Sequence, residues 1–435
     1  MDKFYHAALE TAEAKLFRDP APSALLSPRL GTGGNFKDIF LWDTCFCAFW
    51  AQYHPECFPL EASLDNFYRC QTADGFINRQ ILSSGHGKWD PHHPIAFAPP
   101  LLAWVELTLD GKGLFPGRLV RIFDSLLKQH ECNRARFRKA NGLYFSDQYG
   151  CGMDDIPRWD KPEDVVEQGG IPFTRESVAI PGPAGDEVYK RLVGQTGKRF
   201  NFSWNRQLDW IDTSCQMAFD ALNLSRIARR LGKNDLAAEM DAEHQALAEV
   251  INAALWDDER GFYCDRLGNR LLSRMHIGSF WALISRVASP ERAERMVCQL
   301  DNPETFGLPY GVPSLSKSDP DYDLENGYWR GPVWCPVMYM LLCGLREYGF
   351  DRLARRIAEK FYLATRHVWE ATGTIWENYL PEISDREPGR TAGRDFCGWS
   401  ALAPITIERE FLSRPDFSPK DSLKNNFNFM RSKAL

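Results

Sequence analysis

The sequence lacks the features that would mark a membrane protein or a nucleic-acid-binding protein. None of its apolar runs approaches the roughly 18 uncharged residues that a membrane-spanning helix needs. Basic residues are not in excess either, since 52 Lys and Arg are set against 58 Asp and Glu, for a net charge of −6. Without a basic surface to attract phosphates, we expect neither nucleic acid nor an anionic membrane as a partner.

Signals for secretion and for disulfides are also missing. The first 17 residues mix charged and apolar side chains, whereas a signal peptide has a basic head followed by an apolar run. The 12 cysteines include no C-x-x-C pair, and several, such as Cys45 and Cys215, fall in helical patterns. We therefore expect free, buried thiols in a cytoplasmic protein, with no metal and no cofactor.

Aromatic side chains and helical periodicity are what the chain has in quantity. Its 14 Trp, 14 Tyr and 28 Phe residues suit a thick helical core or a pocket that stacks on sugar rings. Apolar residues recur at i, i+3, i+4 and i+7, which is the spacing of an amphipathic helix. This periodicity predicts twelve helices, over residues 3–17, 41–54, 59–70, 97–110, 115–133, 209–232, 234–255, 272–286, 289–299, 331–348, 350–369 and 398–412.

Several predicted helices pair into hairpins with short polar turns between them. The chain has no fixed repeat, low-complexity linker or charge run that would divide it. We therefore predict a single all-α domain over residues 1–435, built as a toroid of six helix pairs. Three long loops, 72–96, 134–208 and 303–330, exceed the usual connection length, and we expect them to build the functional pocket.

Asp154 is the first candidate for chemistry. It lies in the 134–208 loop beside Asp155, between the flexible Gly152 and the stiff Pro157, with Trp159 close by. A carboxyl group that is held against an aromatic surface loses solvation, so its pKa rises and it can act as a general acid. The structural alternative is an Asp that caps a turn.

Glu377 is the second candidate, because it lies between Trp376 and Asn378 in a short segment after a predicted helix. Glycoside hydrolysis needs two carboxyl groups, one to protonate the leaving oxygen and one to activate water or to attack carbon. A solvated surface Glu is the alternative for this residue.

Two aromatic segments precede predicted helices and could bind a sugar. In the segment 328–334, Tyr-Trp-Arg-Gly-Pro-Val-Trp, the rings can stack on sugar faces and the arginine can hold a carboxylate or a hydroxyl. Trp42 and Asp43 begin another helix, where a carboxylate is favoured by the helix dipole. Core aromatics at a helix entry are the alternative interpretation.

Taken together, these segments resemble glycoside hydrolase family 63, especially its short bacterial members that hydrolyse mannosylglycerate and glucosylglycerate. Residues 152–158 resemble the S-G-M-D-N-S-P-R acid motif, and residues 328–334 closely match the Y-W-R-G-P-x-W pocket wall. Residues 376–379 and 396–400 are similar to the E-x-Y segment and to the closing F-G-W-[ST] stretch. The chain departs from the acid motif at Cys151, which replaces the usual Ser.

The resemblance implies an (α/α)6 barrel that hydrolyses small α-glucosides or α-mannosides with inversion. It also implies that Asp154 is the general acid and Glu377 the general base. The substrate-binding residues implied in the same way are Trp42, Asp43, Tyr328, Trp329, Arg330, Gly331 and Trp334. As partners we expect a small carbohydrate, and the sequence leaves homo-oligomerisation open.

Other interpretations compete with this one. A trehalase-like hydrolase would use the same barrel and a similar acid–base pair, and a sugar epimerase on that barrel would move a proton with histidines. A third interpretation is a sugar-binding barrel without activity. The acidic segment 319–323 begins like a calcium loop but lacks the Gly and Glu of an EF-hand, and His92 and His93 lack metal-site spacing.

Overall fold

A computed structural model of the protein describes residues 2–20, 22–34, 36–161, 163–164, 173–194, 207–389 and 391–413. Over these residues the fold is mostly helical. The α-helices are α1 (Lys3–Ala14), α2 (Leu41–Ala51), α3 (Leu60–Arg69), α4 (Leu102–Gly111), α5 (Arg118–Phe137), α6 (Gly182–Val193), α7 (Ile211–Arg230), α8 (Asn234–Ala254), α9 (Trp281–Ile284), α10 (Pro290–Cys298), α11 (Cys335–Glu347) and α12 (Asp351–Thr372). A 3₁₀ turn, Trp399–Leu402, leads into a π-helix, Ala403–Leu412.

The strands are short and lie in the connections between helices. They are β1 (Ile39–Phe40), β2 (Gln80–Ile81), β3 (Leu208–Asp209), β4 (Trp256–Asp257), β5 (Phe262–Tyr263), β6 (Arg266–Leu267) and β7 (Arg270–Leu271). All of the pairings are antiparallel, in the orders β1-β2, β3-β6-β7 and β4-β5. The pairing of β1 with β2 ties the loop before α2 to the loop that follows α3.

Six segments pack in a closed ring around the centre. Helix α2 contacts α4, α4 contacts α7, α7 contacts α9, α9 contacts α11, α11 contacts the final 3₁₀ turn, and that turn contacts α2 again. A second layer packs outside this ring: α3 on α2, α5 on α4, α8 on α7, α12 on α11, and α1 on the π-helix.

Burial explains why the two layers differ in sequence. Every residue of α2 and of α9 is buried, which requires helices that are apolar nearly all round. The outer helix α12 buries one stripe, with Ala354, Ile357 and Phe361 among its members, and turns its charged residues to solvent. The inner ring therefore supplies the core, and the loops that precede the inner helices meet at one end of it.

Besides shifts of a few residues at helix ends, such as the start of α11 at Cys335 instead of 331, four differences from the predicted helices are informative. Helix α4 begins at Leu102 instead of 97, because Pro99 and Pro100 keep the preceding backbone out of the helical region. The predicted helix 272–286 is a 3₁₀ turn followed by the single turn of α9. The helix predicted over 398–412 is 3₁₀ and π in geometry.

The fourth difference is α6, which lies inside the predicted loop 134–208. Its first residues, Gly-Pro-Ala-Gly, are typical of a turn and hide the helical spacing that follows them. Residues 165–172 and 195–206 of that loop lie outside the described residues. In the part of the chain that the structure describes, no helix is long and apolar enough to cross a membrane, and all 12 cysteines are free.

Candidate active site

A pocket of about 380 Å³ opens among the segments that precede the inner helices. Both candidate catalytic residues, Asp154 and Glu377, line it. Aromatic, apolar and charged side chains share the wall, and the residues that line it besides those two are Thr32, Phe36, Phe40, Trp42, Asp43, Arg79, Gln80, Lys88, Trp89, Phe97, Ala98, Pro99, Tyr149, Gly150, Gly152, Arg191, Leu192, Tyr328, Trp329 and Trp399.

Asp154 is half-buried in the wall of the pocket. Its position there raises the pKa of its carboxyl group to about 8, because burial disfavours the charged form. The nearby Arg79 opposes the rise in pKa, whereas the negative charges of Asp155 and Glu377 add to it. A carboxylic acid with this pKa is protonated at neutral pH and can donate its proton.

Two contacts hold in place the loop that carries Asp154, which we call the acid loop. The buried Arg158 donates to Asp212 at 2.5 Å and to Asp265 at 2.7 Å, so it ties the loop to the start of α7 and to the segment before β6. Gly152 has a φ of +82°, and a Cβ atom there would lie 3.0 Å from the Trp42 ring. Because the backbone lies this close to Trp42, glycine is required at this position.

Glu377 is held by two hydrogen-bond donors. Tyr328 Oη donates to its Oε1 at 2.6 Å, and the backbone N–H of Gly393 donates to its Oε2 at 3.0 Å. The side chain is only 6% exposed. Donors of this kind orient a carboxylate and favour its charged form. The two hydrogen bonds therefore fix the orientation of the Glu377 carboxyl group in the pocket.

Asp43 is a third carboxyl group in the same pocket. Burial at the first turn of α2 raises its pKa well above the ordinary value, and the charges of Asp154 and Glu377 add to the rise. The charges of Asp154 and Glu377 act on Asp43, the charge of Glu377 acts on Asp154, and all three carboxyl groups line the same pocket.

Four of the seven predicted substrate-binding residues line this pocket, and three do not. Trp42, Asp43, Tyr328 and Trp329 face the cavity. The remaining three do not line the pocket, because a compact segment that precedes a helix cannot turn all of its side chains to one side. Those that are not among the residues lining the cavity are Arg330, Gly331 and Trp334, and their role in substrate binding stays a prediction.

The three residues support the wall instead. The Trp334 ring stacks on the Trp329 ring with centroids 4.1 Å apart, and its Nε1 donates to the Tyr328 carbonyl at 3.1 Å. Arg330 Nε donates to Asp155 at 3.4 Å. Gly331 adopts a φ of +138°, and a Cβ there would lie 3.0 Å from Leu324 and from Tyr322.

Sequence reasoning missed a basic side of the pocket that is formed by Arg79, Lys88 and Arg191. The Arg79 guanidinium lies 5.3 Å from the Trp89 ring centroid and 4.9 Å from that of Tyr149. Arg191 comes from α6, the helix that was not predicted. No local pattern marks any of the three, because only the folded chain brings them together.

Features considered for metals have other roles. Asp319 and Asp321 lie 2.5 Å and 2.9 Å from the nitrogens of Arg274, so both carboxylates are ion-paired with it. Within the described residues, no group of three or more His, Cys, Asp or Glu side chains could hold a metal ion. His93 is buried, which lowers its pKa to about 4.

The family of the chain follows from its sequence relatives. Residues 38–400 match the family model described as the mannosylglycerate hydrolase MGH1-like glycoside hydrolase domain. A mannosylglycerate hydrolase of Rubrobacter radiotolerans is 35% identical over 295 residues, which make up 62% of this chain and 63% of that protein. The protein is thus a member of a glycoside hydrolase family. It belongs to the MGH1-like family, and the resemblance to glycoside hydrolase family 63 is confirmed.

Solved structures share the fold. A GH63 mannosylglycerate hydrolase from Thermus thermophilus, in complex with Tris, superposes with a TM-score of 0.67 at 21% identity, over 92% of this chain and 98% of that one. A neutral trehalase from Saccharomyces cerevisiae gives a TM-score of 0.60 at 18% identity, over 92% of this chain and 79% of that one. By contrast, the chain spans 63%, less than two thirds, of the length of the Rubrobacter radiotolerans relative.

Proposed function

We propose that the protein is an inverting α-glycosidase in which Asp154 is the general acid and Glu377 the general base. The observation that carries the proposal is the contrast between the two carboxyl groups in one pocket. Enclosure raises the pKa of Asp154 to about 8, so this group carries a proton at neutral pH. Glu377 accepts hydrogen bonds from Tyr328 and Gly393, which favour its charged form. These are the two protonation states that the reaction needs.

In the proposed reaction the sugar lies against Trp42 and Trp329. Asp154 donates its proton to the glycosidic oxygen as the bond from that oxygen to the anomeric carbon breaks. Glu377 takes a proton from a water molecule, whose oxygen bonds to the anomeric carbon from the opposite face. The products are an alcohol and a sugar of inverted anomeric configuration. We expect the two carboxyl groups to be roughly 6.5–9.5 Å apart, which leaves room for the water.

We propose a small α-mannoside or α-glucoside with an anionic aglycone, such as mannosylglycerate or glucosylglycerate, as the substrate. The basic side of the pocket supports this choice, because Arg79, Lys88 and Arg191 can attract a carboxylate on the leaving group. The name of the Rubrobacter radiotolerans relative points to the same class.

We further propose that the ring of helices is an (α/α)6 barrel and that residues 1–435 form one catalytic domain. The closed cycle of inner contacts and the second layer outside it support this architecture. The loops 72–96, 134–208 and 303–330 would form its active-site end, since all three contribute residues to the pocket. The free cysteines agree with a cytoplasmic location, which stays a prediction.

A trehalase-like activity is the second candidate, and the similarity in fold to the neutral trehalase favours it. Trehalose carries no charge, so it offers no carboxylate for the basic side of the pocket to bind. An epimerase is less well supported, because no histidine is present among the described residues that line the pocket.

The test is to incubate the protein with mannosylglycerate, glucosylglycerate, trehalose and kojibiose and to measure the free sugar. We expect release from one of the two glycosylglycerates, and a proton NMR time course should show the inverted anomer of the sugar forming first. Preferred release from trehalose would support the second candidate. No release from any α-glycoside would contradict the proposed function.

A further inference from the structure

A buried carboxylate next to the acid connects the acid loop to the opposite wall of the pocket. Asp155 is 2% exposed and directly follows Asp154 in the chain. Its Oδ2 accepts hydrogen bonds from the backbone N–H of Tyr328 at 3.2 Å and from Arg330 Nε at 3.4 Å. Its Oδ1 accepts one from the backbone N–H of Trp329. Three donors of one segment thus converge on a single carboxylate of another.

We infer that Asp155 is a positioning residue that holds the general acid and the general base in register with each other. The inference rests on the proposed function, in which Asp154 and Glu377 act as a pair. The connection has three links: the peptide bond from Asp154 to Asp155, the hydrogen bond from the Tyr328 N–H to Asp155, and the hydrogen bond from the Tyr328 hydroxyl to Glu377 at 2.6 Å. A shift of Asp155 would therefore displace the donor on the base.

In the acid motif that residues 152–158 resemble, Asn takes the position of Asp155, but an amide would satisfy fewer of the donors found here. Two backbone N–H groups, of Tyr328 and Trp329, point at the two oxygen atoms of Asp155. Asparagine has one acceptor oxygen, and its NH₂ group would face an N–H donor. One buried backbone donor would then lose its acceptor, which destabilises the contact between the two segments.

The charge of Asp155 also acts on the acid. It raises the pKa of Asp154, as do the charges of Glu377 and Asp147, whereas Arg79 lowers it. The other titratable groups that interact electrostatically with Asp154 are Asp43, Tyr149, Cys151 and Tyr328. Without the negative charge of Asp155, the positive charge of Arg79 has the larger effect on Asp154. The pKa of Asp154 would therefore fall, and Asp154 would release its proton at a lower pH.

The test compares Asp155→Asn with Asp323→Asn in the full-length protein. Asp323 is a matched control, because it also accepts backbone N–H groups, from Glu325 and Asn326, and lies 3.8 Å from Arg330. We expect Asp155→Asn to lower kcat by about tenfold or more, with a smaller change in KM. As the pH rises, this variant should also lose activity at a lower pH than the wild type does. Asp323→Asn should keep both properties.

Asp155→Glu separates geometry from charge, since it keeps the charge but moves the oxygen atoms. Its kcat should fall while the basic limb of the pH profile stays in place. If Asp155→Asn does not fold, Asp155→Glu still tests the inference. An unchanged kcat in Asp155→Asn or in Asp155→Glu would overturn the inference. A loss of kcat in Asp155→Asn with an unmoved basic limb would mean that the residue only stabilises the fold.

A second measurement does not depend on activity. In protein labelled with ¹³C-carboxyl aspartate, the Asp154 signal is assigned by its loss in Asp154→Asn and is then titrated by NMR. Asp154 should titrate at a lower pH in Asp155→Asn than in the wild type, and an unchanged titration would overturn the coupling. If the wild type hydrolyses no glycoside while the titration shifts, the proposed function fails and the coupling between the two carboxyl groups is retained.

Discussion

The proposed acid, Asp154, and the proposed base, Glu377, are both carboxyl groups, but their surroundings in the pocket differ. Among the described residues, no donor hydrogen-bonds to the carboxyl group of Asp154, and its pKa is raised to about 8. Glu377 accepts hydrogen bonds from Tyr328 and Gly393. Enclosure without donors favours a proton on the carboxyl group, and donors favour its loss. In the proposed mechanism, the surroundings of the two carboxyl groups, more than their residue type, would divide the acid role from the base role.

The two sides also differ in how they are held. The acid loop is fixed by contacts remote from the acid itself, through Arg158 and through the close approach of Gly152 to Trp42. Among the described residues, none of these contacts is made by the carboxyl group of Asp154. The base is held directly at its oxygen atoms. A change on the acid side is therefore expected to act through position, and a change on the base side through the carboxylate.

The largest effects should come from removing the two carboxyl groups. Asp154→Asn and Glu377→Gln should each lower kcat on a glycosylglycerate by about 10²–10⁴-fold. A glycosyl fluoride has a good leaving group and needs little protonation, so Asp154→Asn should retain far more activity on it than Glu377→Gln does. Initial rates on both substrates test this comparison. Equal losses for both variants on both substrates would mean that the roles are assigned wrongly.

The next effect concerns pH. Asp154 must carry a proton, so activity should fall as the pH rises through the pKa of this group, about 8. Arg79 lowers that pKa, and Arg79→Gln should therefore move the basic limb of kcat/KM to higher pH. Asp155→Asn should move it in the opposite direction. If the basic limb shifts in the same direction in both variants, Asp154 is not the group whose titration sets it.

On the base side, Tyr328→Phe removes one donor from Glu377. A hydrogen bond to a charged group contributes about 1.5–3 kcal/mol, so we expect a loss of about 10–100-fold in kcat on a glycosylglycerate. Tyr322→Phe is the matched control, because the buried Tyr322 hydroxyl has no partner among the described residues. Steady-state kinetics of the two variants should differ clearly. Similar kinetics would show that the hydroxyl of Tyr328 does not matter to the base.

A smaller effect is expected for the close approach at Gly152. Gly152→Ala and Gly373→Ala both force alanine into the left-handed region, which costs about 1–2 kcal/mol in the free energy of unfolding. A Cβ at Gly373 meets open space, whereas one at Gly152 meets the Trp42 ring at 3.0 Å. Only Gly152→Ala should also lose activity. Denaturant unfolding together with kcat measures both properties, and equal activity in the two variants would count against the role of this contact.

The smallest effect should come from Arg191, which is exposed at the rim of the pocket. Exposed ion pairs contribute about 1 kcal/mol or less, so Arg191→Ala should raise KM for a glycosylglycerate by about fivefold at most. KM for a neutral α-glycoside should not change, and added salt should narrow the difference. A larger effect on the neutral substrate would contradict an electrostatic role.

Much of the helical fold was predictable, because amphipathic outer helices such as α5, α8 and α12 follow a simple period. The predictions differed from the structure where local chemistry hides that period, at Pro99 and Pro100 before α4 and at the glycines that begin α6. Geometry such as the π-helix depends on packing and has no sequence period of its own.

The site was predictable where residues form motifs and not where they meet only in space. The motifs indicated Asp154, Glu377, Trp42 and Asp43, and all four line the pocket. Within the segment 328–334, the motif could not tell which side chains line the cavity, which are those of Tyr328 and Trp329. The bridge from Asp155 to that segment spans more than 170 positions and has no local signal.

Helix α6 brings Arg191 and Leu192 to the pocket from outside the ring of inner helices, and it contacts the 3₁₀ turn Arg175–Ser177. Neither the acid nor the base lies on it. Substitutions in this helix are therefore expected to change the pocket wall without replacing a proposed catalytic residue. Residues 182–193 are thus the segment in which a change of leaving-group preference could evolve, and the one to randomise in a library aimed at new glycosides.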